Sequence, residues 1–285
     1  MSSSTETLLC KTEANILESI DHPNIVKFIG FEENLVRTSN GKKYEHVSAL
    51  LMEFVQGGEF FKLVQELGSM SETIVRSFFI QIFSAVNYLH KNGIAHMDLK
   101  LENLLLCVDN TIKLTDFGCA IKVVGDQKCI GLAGTLKFQP PEALEGKAYS
   151  PFTSDIFALG IMLFILVVGY MPFGQADPSD PFYSLIYSQD MAGFWALHQE
   201  YCQQTKKFWR SPSKEFKDLF FQLVHPDPSK RFAIKDIKKH KWMCLDVVDS
   251  ESLSVWMKTK KRLLTKAKTA PPKKKAGSNH LSLYS

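Results

Sequence analysis

The chain has 285 residues, of which 45% are hydrophobic, 22% charged and 12% aromatic. Such a composition excludes collagen-like and wholly disordered chains, and the length suffices for one or two compact domains with a large core. The six cysteines, at positions 10, 107, 119, 129, 202 and 244, form no C-x-x-C pair and no metal-ligand spacing, so they read as free thiols and not as a disulfide framework or a zinc site.

The formal net charge is +4, yet nine Lys/Arg and no Asp/Glu lie from Trp256 onward, which leaves residues 1–255 at −5. A basic surface specific for nucleic acid is therefore not expected on the body of the protein. Residues 246–285 read as a basic, disordered tail. Its clusters Lys260–Arg262 and Lys273–Lys275 suit a nuclear address, an anionic lipid or an acidic regulatory partner, against the simpler reading of a solvated tail. The stretch 256–268, with Trp256, Leu263 and Leu264, also has the make-up of a calmodulin-type helix, again against a frayed basic end. The first residues lack a basic segment followed by an apolar run, so no secretory signal is expected, and the location inferred is cytoplasmic, with the nucleus as the alternative.

Residues 6–20 carry Leu9, Ile16, Leu17 and Ile20 at helical spacing, with Glu13 inside the same stripe. His22-Pro23-Asn24 ends that helix. Two β-rich runs follow, 25–31 and 47–54, joined by a polar loop containing Asn40-Gly41. A short helix is expected over 59–67. Ser69 and Glu72 then read as a capping box opening a long helix with Ile74, Phe78, Ile82, Val86 and Leu89 inward. Short β segments are expected at 94–96, 104–106 and 112–114. Beyond Pro140 the pattern is helical, at 142–144, 155–168, 182–200, 213–224 and 234–241. The eighteen uncharged residues 156–173 meet the bare length of a membrane span, but Asp155, Gly160, Gly169 and Pro172 argue for a buried central helix, and no transmembrane segment is expected.

The chemistry concentrates in His96-Met97-Asp98-Leu99-Lys100-Leu101-Glu102-Asn103, followed by Asp116-Phe117-Gly118. Both aspartates follow short strands, where turns let side chains converge on a ligand. Phosphoryl transfer requires divalent metal to offset phosphate charge, a cation at the transferred group and an acceptor for the hydroxyl proton. Asp98, Lys100, Asn103 and Asp116 supply that set, and hard oxygen ligands suit Mg²⁺.

With Pro140-Pro141-Glu142, Asp155-Ile156-Phe157-Ala158-Leu159-Gly160 and the His225–Arg231 segment added in order, the chain resembles the eukaryotic protein kinases over about residues 6–243. It looks like their serine/threonine branch, closest in general appearance to the calcium/calmodulin- and AMP-activated-like enzymes. The resemblance implies an α+β, two-lobe fold with a truncated front lobe at 1–55 and a helical lobe at 56–245. It implies ATP and Mg²⁺ as cofactors and a protein substrate offering a Ser or Thr hydroxyl. Asp98 would orient the hydroxyl and accept its proton, Lys100 would stabilise the transferring phosphate, and Asn103 and Asp116 would hold metal. Gly134-Thr135 would mark serine/threonine specificity. Met52 would be the gatekeeper, Glu53–Val55 would offer main-chain groups to adenine, Glu59 would reach the ribose and Leu105 would lie under the purine. Glu13, His96, Phe117, Gly118, Glu142, Asp155 and Arg231 would be structural, the Glu142–Arg231 pair among them. Glu59 and Glu102 also suggest a preference for Arg or Lys upstream of the target hydroxyl.

Three departures carry information. Met97 stands where the family has arginine, and residues 119–134 contain no Ser, Thr or Tyr, so no phosphorylation switch is expected between Asp116 and Thr135. Cys119 follows Asp-Phe-Gly directly and is either a reactive thiol or, more simply, a small buried one. No G-x-G-x-x-G and no Val-Ala-x-Lys precede Glu13, which leaves Glu13 without a partner and the adenine site without a roof. The expectation is a serine/threonine kinase written without its first strands, with the alternative of a pseudokinase scaffold that binds a protein partner through the helical lobe and the exposed first helix. Losing a few charge-assisted bonds would cost nucleotide binding roughly 3–6 kcal/mol. The apolar face of the first helix is then expected to be partly exposed.

Overall fold

A computed structural model describes residues 3–269. The first helix, α1 (Ser3–Glu18), packs against a two-stranded antiparallel ribbon of β1 (Phe28–Ser39) and β2 (Lys42–Met52). The polar loop expected between the strands is instead part of them. Asn40 and Gly41 both take positive φ, 50° and 74°, making a two-residue turn whose twist matches the strands, so pairing continues to Ser39↔Lys42. Ile16 and Leu17 of α1 and Ile20 just beyond it are buried, so the exposure expected for that face does not occur there; Leu8, about two turns nearer the N-terminus, is exposed.

The remainder is largely helical. In chain order it comprises α2 (Phe60–Leu67), α3 (Glu72–Lys91), β3 (Ile94–Ala95), β4 (Leu104–Leu106), β5 (Ile112–Leu114), β6 (Ile121–Lys122), α4 (Pro141–Leu144), α5 (Pro151–Val168), α6 (Pro181–Tyr187), α7 (Met191–Gln204), α8 (Lys214–Leu223), α9 (Ile234–Lys239) and α10 (Ser250–Thr269). The short strands pair as β3 with β6 and β4 with β5, both antiparallel. The whole is α+β, a small ribbon-and-helix end joined to a helical body.

The capping box does not form. Ser71 is the N-cap of α3, and Glu72 reaches away from the helix to accept from Ser213 N, Ser213 Oγ and Trp242 Nε1 at 2.6, 2.6 and 2.8 Å. The apolar run that passes for a membrane span is α5, and 89% of it is buried inside the protein. It starts four residues earlier than expected, with Ser150 as N-cap and Pro151 in its first turn, so Asp155 lies within the helix. Gly169 ends it in the left-handed region, and a Cβ on Gly160 would lie 2.7 Å from Val224, which shows how closely α8 crosses. The single helix expected over 182–200 is two, because Asp190 accepts from Gly193 N and caps a new start.

The tail expectation fails for residues 250–269. Leu253 and Met257, one turn apart, are buried against the body, Asn110 Nδ2 donates to Ser254 Oγ at 2.9 Å, and Asp249 caps the helix through Ser252 N at 2.8 Å. Charge alone does not unfold a helix that has two apolar anchors at i, i+4 spacing. Lys273–Lys275 and the rest of 270–285 lie outside the described residues.

Candidate active site

The site is assembled around Asp98, on the turn after β3. Two neighbouring amides fix that turn. His96 N and Met97 N both donate to the buried carboxylate of Asp155, each at 2.9 Å, and His90 Nε2 lies 2.8 Å from the same group. Asp155 therefore ties the turn to α5. It holds Met97 at φ 66°, a left-handed conformation that costs a non-glycine residue energy and is typical of over-determined sites. His96 is fully buried, and burial pushes its basicity down, so the ring is neutral. Its Nε2 donates to Thr115 O at 3.2 Å, which leaves Nδ1 to accept from Asp98 N at 3.3 Å.

Around the Asp98 carboxylate the expected residues converge. Lys100 Nζ lies 2.6 Å from Oδ2 and 2.9 Å from Thr135 Oγ1. Thr135 N donates to Oδ1 at 2.8 Å. Asn103 Nδ2 donates to Asp98 O at 2.9 Å and to Oδ2 at 3.3 Å, so the Asn103 amide oxygen is the atom left for another ligand. Gly134 admits this arrangement. A Cβ there would sit 2.5 Å from Met97 O and 2.7 Å from Asp98 Oδ1, and its φ is 73°.

Asp116 also takes a left-handed φ, 63°, and is exposed, with Gly118 N 3.4 Å from its Oδ1. Phe117 is buried and lies against the His96 ring, centroids 4.9 Å apart. The expectation that Glu13 has no partner is corrected: its Oε1 accepts from Phe117 N at 3.0 Å. No cation meets it among the described residues. Burial raises its carboxyl above the usual range, the Phe117 amide works against that, and the Asp116 charge adds to it.

Cys119 lies close enough to feel both aspartates. Cys119 is half-buried and not buried as the simpler reading had it, and burial, then Asp98 and Asp116, raise its thiol above the ordinary value, which disfavours the thiolate.

Apart from this cluster, Glu53, Phe54, Val55, Gly57, Gly58, Glu59 and Leu105 border a hollow of about 560 Å³. Met52 ends β2 beside it. Glu53 N donates to Lys27 O at 3.0 Å, whereas neither Glu53 O nor Val55 N has a main-chain partner among the described residues. The Glu53 side chain accepts from Lys27 N at 2.8 Å and from Lys113 Nζ at 2.5 Å. Burial alone would raise that carboxyl, but the Lys113 and Lys27 contacts prevail and hold it below its usual range. Glu59 bridges in the main chain to Leu105, and its carboxylate pairs with Lys62 at 2.8 Å on the surface. Gly57 is obligatory here, since a Cβ would lie 2.0 Å from Leu106 O. Farther off, buried Arg231 makes a two-pronged bond to Glu142 at 2.7 and 3.0 Å, as expected of that pair.

Sequence reasoning missed the Glu53–Lys113 strap, which joins residues sixty positions apart and leaves no local signal, and the close approach of Gly134, for which a lone glycine before Thr135 was the only hint.

Residues 2–243 match the model for the protein kinase domain. The chain is 33% identical to "CBL-interacting protein kinase 26" of Oryza sativa subsp. japonica over 236 residues, covering 81% of this chain and 42% of that protein. It is 35% identical to "Calcium/calmodulin-dependent protein kinase type II alpha chain" of Drosophila melanogaster over 236 residues (81% and 40%), and 31% identical to "Aurora kinase" of Dictyostelium discoideum over 234 residues (82% and 53%). The chain thus spans about half or less of the length of these relatives. It belongs to the eukaryotic protein kinase family, in its serine/threonine branch.

Proposed function

We propose that the chain transfers the γ-phosphoryl group of ATP to Ser or Thr hydroxyls of protein substrates. The observation that carries this reading is the junction at Asp98, where the Lys100 ammonium lies 2.6 Å from the carboxylate and 2.9 Å from the Thr135 hydroxyl, and Thr135 N donates to the same carboxylate at 2.8 Å. Asp98 is placed to orient an incoming hydroxyl and take its proton. Lys100 is placed to meet negative charge on the transferred group.

The chain's own groups fit a magnesium nucleotide. The Asn103 amide oxygen and the Asp116 carboxylate are a hard, all-oxygen pair of the kind Mg²⁺ accepts alongside water and phosphate oxygens. Glu53 O and Val55 N, without main-chain partners among the described residues, offer the acceptor and donor that an adenine edge needs, at a hollow they share with Glu59 and Leu105 and that Met52 adjoins in the chain. When bound, ATP supplies the phosphoryl group and the metal offsets its charge. The protein's part is to position these groups, exclude water and receive one proton.

The test pairs a phosphorylation assay with nucleotide titration by thermal shift, each run beside Asp98→Asn. Turnover that disappears in the variant, with Mg·ATP stabilisation kept, supports the reading. A second reading, a scaffold that binds a protein through its ribbon, rests on exposed Ile29, Val36 and Leu51. Absence of both turnover and nucleotide stabilisation selects it.

A further inference from the structure

Residues 119–134 must be held in place by something other than a phosphate, because they contain no hydroxyl to carry one. Their start is secured by β6, which pairs with β3 as Ala95↔Ile121 and Ile94↔Lys122, and by Val123 N donating to Gly93 O at 2.7 Å. After that the segment runs outward, with Val124 more than three-quarters exposed. It returns at Cys129, where a pair of main-chain bonds, Cys129 N to Tyr149 O and Tyr149 N to Cys129 O, both 2.9 Å, makes an isolated antiparallel bridge. Two residues later the Tyr149 hydroxyl donates to Gly131 O at 3.1 Å.

Tyr149 itself is fixed from beneath. With Ala95, Met97 and Ala143 it forms a small buried cluster, separate from the main core, against which Cys119, Ile121, Val123, Cys129, Ala133 and Phe152 pack. Met97, next to Asp98 in the chain, is the member that links this plug to the site. From Gly131 only four residues lead to Thr135, whose N–H and hydroxyl meet Asp98 and Lys100. Four residues span at most about 14 Å, so a shift at Gly131 reaches Thr135 with little slack. Gln139 Nε2 donates to Ala133 O between them and shortens the slack further.

We propose that Tyr149 is the positioning residue of this site, a latch that holds residues 129–135 in register on Asp98 without phosphorylation. The ring and Met97 fill the space below the segment, the main chain of Tyr149 fixes Cys129, and the phenol fixes Gly131. Burial, and then the neighbouring Cys129, Glu142 and Asp155, raise the phenol above its usual range, so it remains a donor throughout the physiological span.

The activity arm of the test rests on the kinase reading above; the structural arm does not. Tyr149→Phe keeps the ring and removes only the hydroxyl. Hydrogen–deuterium exchange over 128–136 is expected to speed up by roughly two- to tenfold, the range for one lost hydrogen bond, with exchange in α5 unchanged and with phosphatase treatment of the wild-type protein having no effect. Where turnover is measurable, kcat for a peptide falls by a similar factor while KM for ATP stays constant. Met97→Ala, which hollows the plug without touching a hydrogen bond, is expected to speed exchange over the same peptides. Unchanged exchange over 128–136 in both variants overturns the latch, as does a phosphatase-sensitive wild-type segment. Faster exchange in a protein with no turnover upholds the latch and counts against the kinase reading alone.

Discussion

Lys100 places its ammonium 2.6 Å from Oδ2 of Asp98, and the two side chains are only 19% and 8% exposed. An ion pair this close and this dry is a unit. Asp98→Asn retains shape but has one acceptor oxygen where the carboxylate accepts on both, and it cannot take a proton, so phosphorylation of a Ser/Thr peptide is expected to fall by about 10²- to 10⁴-fold. Lys100→Ala is expected to cost a comparable factor, and the double variant little more than either single one, because residues acting together are not additive. Steady-state rates of the three variants check this; losses that multiply in the double variant would show that the two side chains act separately.

Gly134→Ala puts a methyl group within 2.7 Å of Asp98 Oδ1 and asks alanine to hold φ at 73°. The segment must move, and Thr135 with it. Activity is expected to fall at least tenfold while the urea midpoint changes little, since Gly134 sits in a surface segment and not in the main core. A variant with full activity would refute the idea that Thr135 must touch Asp98.

Glu13 gives a pH signature whose sign follows from burial. Its carboxyl titrates higher in the folded protein than in the unfolded chain. Between those two values the folded state binds more protons, so stability from this group rises as pH falls, and ionised Glu13 is a burden at neutral pH. Glu13→Gln keeps an oxygen for the Phe117 amide and removes the charge. It is expected to raise the thermal midpoint at pH 7, with the gain vanishing below about pH 4, where the unfolded carboxyl is protonated as well. A midpoint lowered at pH 7 would mean that the charge itself is needed there.

Arg231 and Glu142 form a buried, two-pronged pair, with Arg231 also donating to Thr153 O and His225 O and lying over the Phe157 ring. Removing one partner strands the other in a dry environment, so Arg231→Ala or Glu142→Ala is expected to cost about 3–5 kcal/mol in denaturant unfolding. The double variant should cost less than the two losses combined.

Much of this was legible in the chain because chemistry and turn type coincide locally. Asp98, Lys100 and Asn103 lie within six residues, and Asp116 follows at a fixed interval, so a single turn and a single hairpin bring them together. Ribbon length was not legible: residues 32–39 and 42–46 are largely polar, with Leu35 and Val36 exposed, and the φ > 0 turn at Asn40-Gly41 shows that backbone pairing, not burial, sustains the strands there. Glu72 misled because a Ser-x-x-Glu spacing is met as well by a residue that reaches Ser213 and Trp242, contacts no local pattern can contain. The net charge beyond Trp256 hid α10, whose order rests on Leu253 and Met257 packing against the body and on Asn110, far upstream in the chain.

Substrate preference can be read from two carboxylates that differ in their surroundings. Glu102 has one oxygen, Oε2, buried with no hydrogen-bond partner among the described residues. Glu59 is exposed and holds only surface Lys62, a contact worth little in water and easily exchanged. An unsatisfied buried carboxylate oxygen is costly, so turning the half-buried Glu102 side chain outward to meet an arriving guanidinium or ammonium is favourable. Peptides with Arg or Lys upstream of the acceptor hydroxyl are therefore expected to be preferred over alanine versions. Glu102→Gln should shrink that preference about tenfold, the range for one charge-assisted bond, mainly through KM and with kcat on an all-alanine peptide unaffected. A positional peptide array checks the direction. Selection of acidic residues upstream, or a Glu102→Gln enzyme that discriminates as well as the parent, would assign the Glu102 carboxylate to the protein's own architecture and remove it from substrate choice.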